Sequence, residues 1–144
     1  MEKENPKNST IKVKTLSTTV LYIKAEVQMI VVIFEVIPRE GHKEAYLEIA
    51  ATLRPHLETI DGFISVERFQ SLYHPEKILS LSFWRDEEAV KQWRRLEPHR
   101  EAQHAGRTVH FEDYRLRVAS VVRDYGMFSR DEAPEDSRQL HDPE

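Results

Sequence analysis

The chain has 144 residues, a mass of 17.0 kDa, no cysteine and a formal net charge of -4 with a pI near 6.0. That length suits one domain with tails, and the lack of cysteine excludes a disulfide framework, a thiolate metal site and a cysteine nucleophile. Lys and Arg are interspersed with Asp and Glu, which argues against a nucleic-acid partner; no apolar run nears the roughly 18 residues that span a bilayer, so the sequence predicts a cytoplasmic protein with no membrane partner.

Residues 1–28 open polar and lysine-rich. They predict a flexible N-terminal extension whose one apolar cluster, Val20 to Ile23, can form at most a short extra strand. The domain is predicted over residues 29–126. Met29 to Ile37 (MIVVIFEVI) is nearly all β-branched or aromatic and closes at Pro38, the pattern of a central strand buried on both faces. From Gly41 the spacing turns helical, with Tyr46, Ile49, Leu53, Leu57 and Ile60 on one stripe. Pro55 interrupts that stripe and predicts a kink or an early end near Arg54.

Asp61-Gly62 marks the next turn, and Phe63 to Leu72 and Lys77 to Trp84 read as an antiparallel pair. Asp86 is placed as the N-cap of a second helix whose inner face carries Val90, Trp93 and Leu96. Pro98 predicts a fresh helical segment, Gly106 its end, and Tyr114 to Tyr125 a last strand. Residues 127–144 are acidic and Pro-containing, with few large apolar side chains, and predict a disordered tail.

The order is β-α-β-β-α-β, an α+β ferredoxin-like domain with an antiparallel sheet. Two helical regions cover one face of such a sheet. Yet the first strand is apolar throughout, and the last has Leu116, Val118 and Val122 on one side against Ala119, Val121 and Tyr125 on the other. A second copy of the chain is the simplest cover for the remaining face, so a homodimer is expected.

The run from Phe83-Trp84 through Trp93, His99, Gln103, Gly106-Arg107, Tyr114, Arg117 and Arg123 to Tyr125 resembles the antibiotic biosynthesis monooxygenase family. The resemblance covers residues 29–126 and implies a dimeric α+β barrel with a small-molecule pocket between the sheet and helices of each subunit. Family members include monooxygenases that oxidise polycyclic aromatics without metal or flavin, haem-degrading enzymes and proteins without known activity. The haem-degrading pattern has an Asn on the first strand and a ligating His ten residues beyond the helix Trp. Here the first strand has no Asn and Gln103 occupies the ligand position, with His104 one place on, which makes haem degradation the minor alternative.

The resemblance implies a cofactor-independent monooxygenase acting on a small aromatic or apolar molecule. Its rival is a non-catalytic binding or stress-related dimer. The residues singled out for the pocket are Phe83, Trp84, Trp93 and Gln103 as substrate contacts and His99 as the catalytic acid or base. Trp93 reads first as core, which is compatible with ligand contact if the pocket lies beneath this helix. His99 and Gln103, one helical turn apart, can converge on one spot, whereas His104 lies about 100° further round the helix and should be solvated. Arg115, Arg117 and Arg123 either pair with carboxylates across the dimer or face an anionic substrate. The remaining histidines lack metal-ligand spacing, and the four glycines write neither a dinucleotide fingerprint nor a P-loop, so no metal and no cofactor are expected.

Overall fold

A computed structural model of the chain describes residues 9–14, 20–25 and 28–142. Ahead of the domain, β1 (Ser9–Lys14) and β2 (Val20–Ala25) form an antiparallel two-stranded sheet, in register from Ser9 opposite Ala25 to Lys14 opposite Val20. Over these two segments the expected flexible extension is instead a paired hairpin: Val20 to Ile23, allowed at most a short strand, falls inside β2, and its partner β1 was not predicted. Flexibility of the other residues before 28 lies outside the described residues.

The domain itself is β3 (Ile30–Pro38), α1 (Lys43–Glu58), β4 (Phe63–Gln70), β5 (Ile78–Trp84), α2 (Glu87–Arg95), α3 (Glu97–Ala105), a π-helical turn (Gly106–His110) and β6 (Phe111–Ser120). Its four-stranded antiparallel sheet has the order β4-β5-β3-β6. This is the ferredoxin-like α+β arrangement predicted, with the apolar first strand at the centre. Strand alternation sends Ile30, Val32, Phe34 and Val36 of β3 toward the helices and Val31, Ile33, Glu35 and Ile37 to the opposite face. On the helical side two buried clusters form: Ile30, Leu57, Ile60, Trp84 and Ala89 at one end, and Val36, Tyr46 and Ile78 at the other.

Local signals account for most boundaries. Arg39 to His42 form a turn closed by the His42 N–H donating to the Arg39 carbonyl at 2.9 Å, and Gly41 supplies the φ of 77° that its third position requires. Asp86 caps α2 as predicted, accepting from the Ala89 N–H at 2.9 Å, with Glu87 and Glu88 in the first turn. Pro98 sits in the first turn of α3, where its missing N–H costs nothing.

Several expectations need correcting. Of the kink or early end expected at Pro55, the early end does not occur: helix α1 runs through Pro55 to Glu58. The carbonyl that Pro55 leaves without its donor belongs to Ala51, which is exposed, so water can satisfy it. The last strand begins at Phe111 and ends at Ser120, short of Tyr125. Ser120 is already opposite Ile30, the first residue of β3, and the ladder has no further partner strand to follow. Nor is the C-terminal tail without structure: α4 (Glu135–His141) lies in it. There Arg130 donates to Asp142 Oδ1 at 2.6 Å and to Ser137 Oγ at 2.8 Å, and Ala133 is buried, so polar ties replace the apolar burial that composition shows to be lacking.

Candidate active site

Between the inner face of the sheet and the helices lies a cavity of about 530 Å³. Val32 and Phe34 of β3, Ser80 and Ser82 of β5, and Leu116 and Val118 of β6 form its floor. Helix α1 contributes Tyr46, Ile49, Leu53 and Leu57, and α2 and α3 bring Val90, Trp93, His99 and Gln103. The walls are therefore mostly apolar, as a site for a small organic molecule requires.

One end is a stack of aromatic rings. Trp84, 1% exposed, packs edge-on against Phe63 with ring centroids 5.3 Å apart, and its Nε1–H donates to Ser82 Oγ at 2.9 Å. Trp93 follows at 6.4 Å, and His99 stacks on Trp93 at 4.4 Å with 20° between the rings. Trp93 is thus both core and cavity wall.

His99 is held twice, by this stacking and by its Nδ1, which lies 3.1 Å from the Trp93 carbonyl oxygen. A carbonyl can only accept, so Nδ1 carries the hydrogen and Nε2 keeps the free lone pair of the neutral ring. Burial drives its pKa down to about 4, against the opposing pull of the Trp93 carbonyl. At neutral pH His99 is an uncharged hydrogen-bond acceptor and a weak base. Taking a proton from a group of pKa near 7 would cost it about 4 kcal/mol at the ordinary rate of 1.36 kcal/mol per pKa unit.

Four of the five predicted site residues line this cavity: Trp84, Trp93, His99 and Gln103. Phe83 does not. It pairs with Val31 on β3 and Ser65 on β4 and belongs to the opposite face, since alternation admits only one of Phe83 and Trp84 to the interior. Gln103 is exposed at the rim, and His104, exposed as predicted, also borders the cavity. Gly106 does not end the helical run. Its backbone stays helical at φ -57° and ψ -54° and leads into the π-helical turn, which carries the chain to β6. Glycine is needed there for space, because a Cβ would run into the Phe111 ring.

Some cavity residues were not foreseen. Arg68 of β4 rises from the floor, its Nε donating to the Tyr46 hydroxyl oxygen at 3.4 Å and its guanidinium 5.9 Å from the centre of that ring. The signal was present in FISVERFQ, where Arg68 shares the face of Val66. Arg94, Arg100 and Arg107 also border the cavity, and among the described residues no Asp or Glu does. His110 borders it too, its Nδ1 3.0 Å from Nδ1 of His42, so that one ring donates and the other accepts. These residues are 68 positions apart, beyond the reach of any local pattern. Among the described residues no three His, Cys, Asp or Glu come together in a way that could hold a metal ion, and no helix is long and apolar enough to cross a membrane.

On the opposite face Arg117 does not wait for a partner subunit. It donates to Glu35 Oε2 at 2.7 Å, with Lys77 Nζ 4.0 Å from Glu35 Oε1. The Arg117 hydrogen bond, opposed by burial and helped by Lys77 and Arg115, holds the Glu35 carboxyl below its usual range.

Residues 29–105 match the antibiotic biosynthesis monooxygenase family, starting where the apolar pattern of β3 starts. The jasmonate monooxygenase ABM of Pyricularia oryzae is 50% identical over 94 residues, 65% of this chain and 44% of that protein. The uncharacterized protein YqjZ of Bacillus subtilis is 34% identical over 62 residues, 43% of this chain and 53% of that one. The chain thus spans about half the length of these two relatives. The crystal structure of protein SO0527 from Shewanella oneidensis superposes with a TM-score of 0.61 at 20% identity, covering 67% of this chain and 93% of that one, a likeness of fold.

Proposed function

This chain belongs to the antibiotic biosynthesis monooxygenase family, and we propose that it is a homodimeric, cofactor-independent monooxygenase acting on a small aromatic or apolar molecule bound beneath α2 and α3. The observation that carries this reading is the largely apolar 530 Å³ cavity in which a neutral His99 is fixed against Trp93. A substrate with an acidic C–H or O–H, once ionised, passes one electron to dioxygen. Recombination forms a carbon–peroxide bond, the peroxide takes back the proton lost on ionisation, and where the same carbon still bears a hydrogen, loss of water leaves a carbonyl, with one oxygen atom in the product and the other in water. The chain's part is to orient the substrate, exclude water and accept a hydrogen bond at His99 Nε2.

The jasmonate monooxygenase of Pyricularia oryzae makes jasmonate one compound to try, beside phenolic and enolisable ring systems. Purified protein supplied with ¹⁸O₂ and no added flavin, nicotinamide or metal should place one labelled oxygen in a product from this panel. Oxygen uptake that depends on an added cofactor would overturn the reading.

His99 is a weak base in this cavity, which gives the non-catalytic binding module its best argument. Saturable ligand binding with no oxygen uptake across the whole panel would favour that alternative.

For assembly, Val31, Ile33, Leu79, Leu81 and Phe83 form the apolar middle of the helix-free face. A second copy related by a twofold axis is the proposed cover.

A further inference from the structure

We propose that Arg68 is an anion anchor, so that the natural ligand of the cavity is an apolar body bearing one oxyanion, a carboxylate or an equivalent group. The inference rests on reading the cavity as the ligand site and adds the charge class of what enters it. Arg68 is half-buried on the sheet floor, opposite Ser80 in the β4–β5 ladder. A guanidinium is permanently charged and offers five N–H donors in a planar fork. Among the described residues only Nε–H has a protein acceptor, the Tyr46 hydroxyl, and that bond is long at 3.4 Å.

Among the described residues Arg68 has no carboxylate partner, and none borders the cavity. Cations set in apolar surroundings are ordinarily paired, whereas the four Nη hydrogens of Arg68 are left for water or a ligand. The fork matches two oxygens of one carboxylate. Arg94, Arg100 and Arg107 around the same cavity also lack carboxylate partners among the described residues. Together they give the cavity a positive potential that draws anions in.

The test uses two fluorescent probes that differ by a single sulfonate, 1-anilinonaphthalene-8-sulfonate and the neutral N-phenyl-1-naphthylamine, titrated into the full chain. The wild type should bind the sulfonate at least tenfold more tightly, the two probes should compete, and the preference should shrink as salt is raised. Arg68→Gln should weaken the sulfonate about tenfold and move the neutral probe less than twofold. Arg68→Lys, which keeps the charge but loses the fork, should fall between. Equal wild-type affinity for both probes, or an equal loss of both in Arg68→Gln, overturns the proposal. If Arg68→Gln does not fold, the wild-type preference and Arg68→Lys decide it. Neither probe is oxidised in this assay, so missing oxygenase activity with the preference intact sinks only the catalytic reading.

Discussion

The two faces of the sheet treat their cations oppositely. On the helix-free face Arg117 and Lys77 both reach a carboxylate, Glu35, within the chain. On the inner face Arg68 meets a phenol and, among the described residues, no carboxylate. A face whose cations Arg117 and Lys77 already meet a carboxylate can be covered by a copy of itself at lower cost, whereas one whose guanidinium meets only a phenol is better suited to a ligand that brings its own negative charge.

Breaking the outer face should have the largest effect. Leu81→Asp would put a carboxylate into the proposed interface, and twofold symmetry would put it there twice, at roughly 3–5 kcal/mol for each unpaired buried charge. The variant should run as a monomer by light scattering at a concentration where the wild type is dimeric. A wild type already monomeric at micromolar concentration would remove the contrast altogether.

Emptying one end of the inner face comes next. Trp84→Ala should destabilise the fold by about 3–5 kcal/mol in urea unfolding, and it should also free the Trp93–His99 stack to move, loosening ligand binding.

The pH dependence of stability sharpens the inner half of the comparison. The His99 pKa falls from its ordinary 6.5 to about 4 in the fold, so on acidification the unfolded chain takes up this proton first. The contribution of the neutral ring is whole above pH 6.5 and is lost as pH falls toward 4. At 1.36 kcal/mol per unit the loss reaches about 3 kcal/mol. The difference in unfolding free energy between wild type and His99→Gln should therefore change between pH 7 and pH 4.5, and a constant difference would mean that the ring is better solvated than its packing indicates.

The smallest of these effects is expected at Gly106→Ala, where a methyl group driven into the Phe111 ring should cost about 1–3 kcal/mol. Met29 to Ile37, the Asp86 cap, Pro98 and the Trp93 stripe were legible in the sequence because each depends on neighbours a few residues away. The space-making role of Gly106 was not, because the Phe111 ring meets it only after the π-helical turn has doubled the chain back. Arg68 and Tyr46, or His42 and His110, meet only once α1 has packed on the sheet. The end of β6 was hidden for a similar reason: Val121 to Tyr125 keeps strand-like alternation, but whether it pairs depends on where β3 begins.

The strand order also bears on how the chain reaches this state. Ile33 at the middle of β3 takes its neighbours from Leu81 on β5 and Arg117 on β6, so the most apolar segment of the chain waits for the two latest strands of the sheet before its edges are covered. Until then MIVVIFEVI is a β-prone segment with a single acidic residue and two open edges, the kind of surface on which copies associate. The finished sheet instead turns outward β4 and β6, which carry Glu67, Arg68, Glu112, Asp113, Arg115 and Arg117. Charged edges of this kind resist adding a foreign strand, so aggregation should track the lifetime of the half-made sheet and the concentration during refolding, and should be slow once β6 has docked.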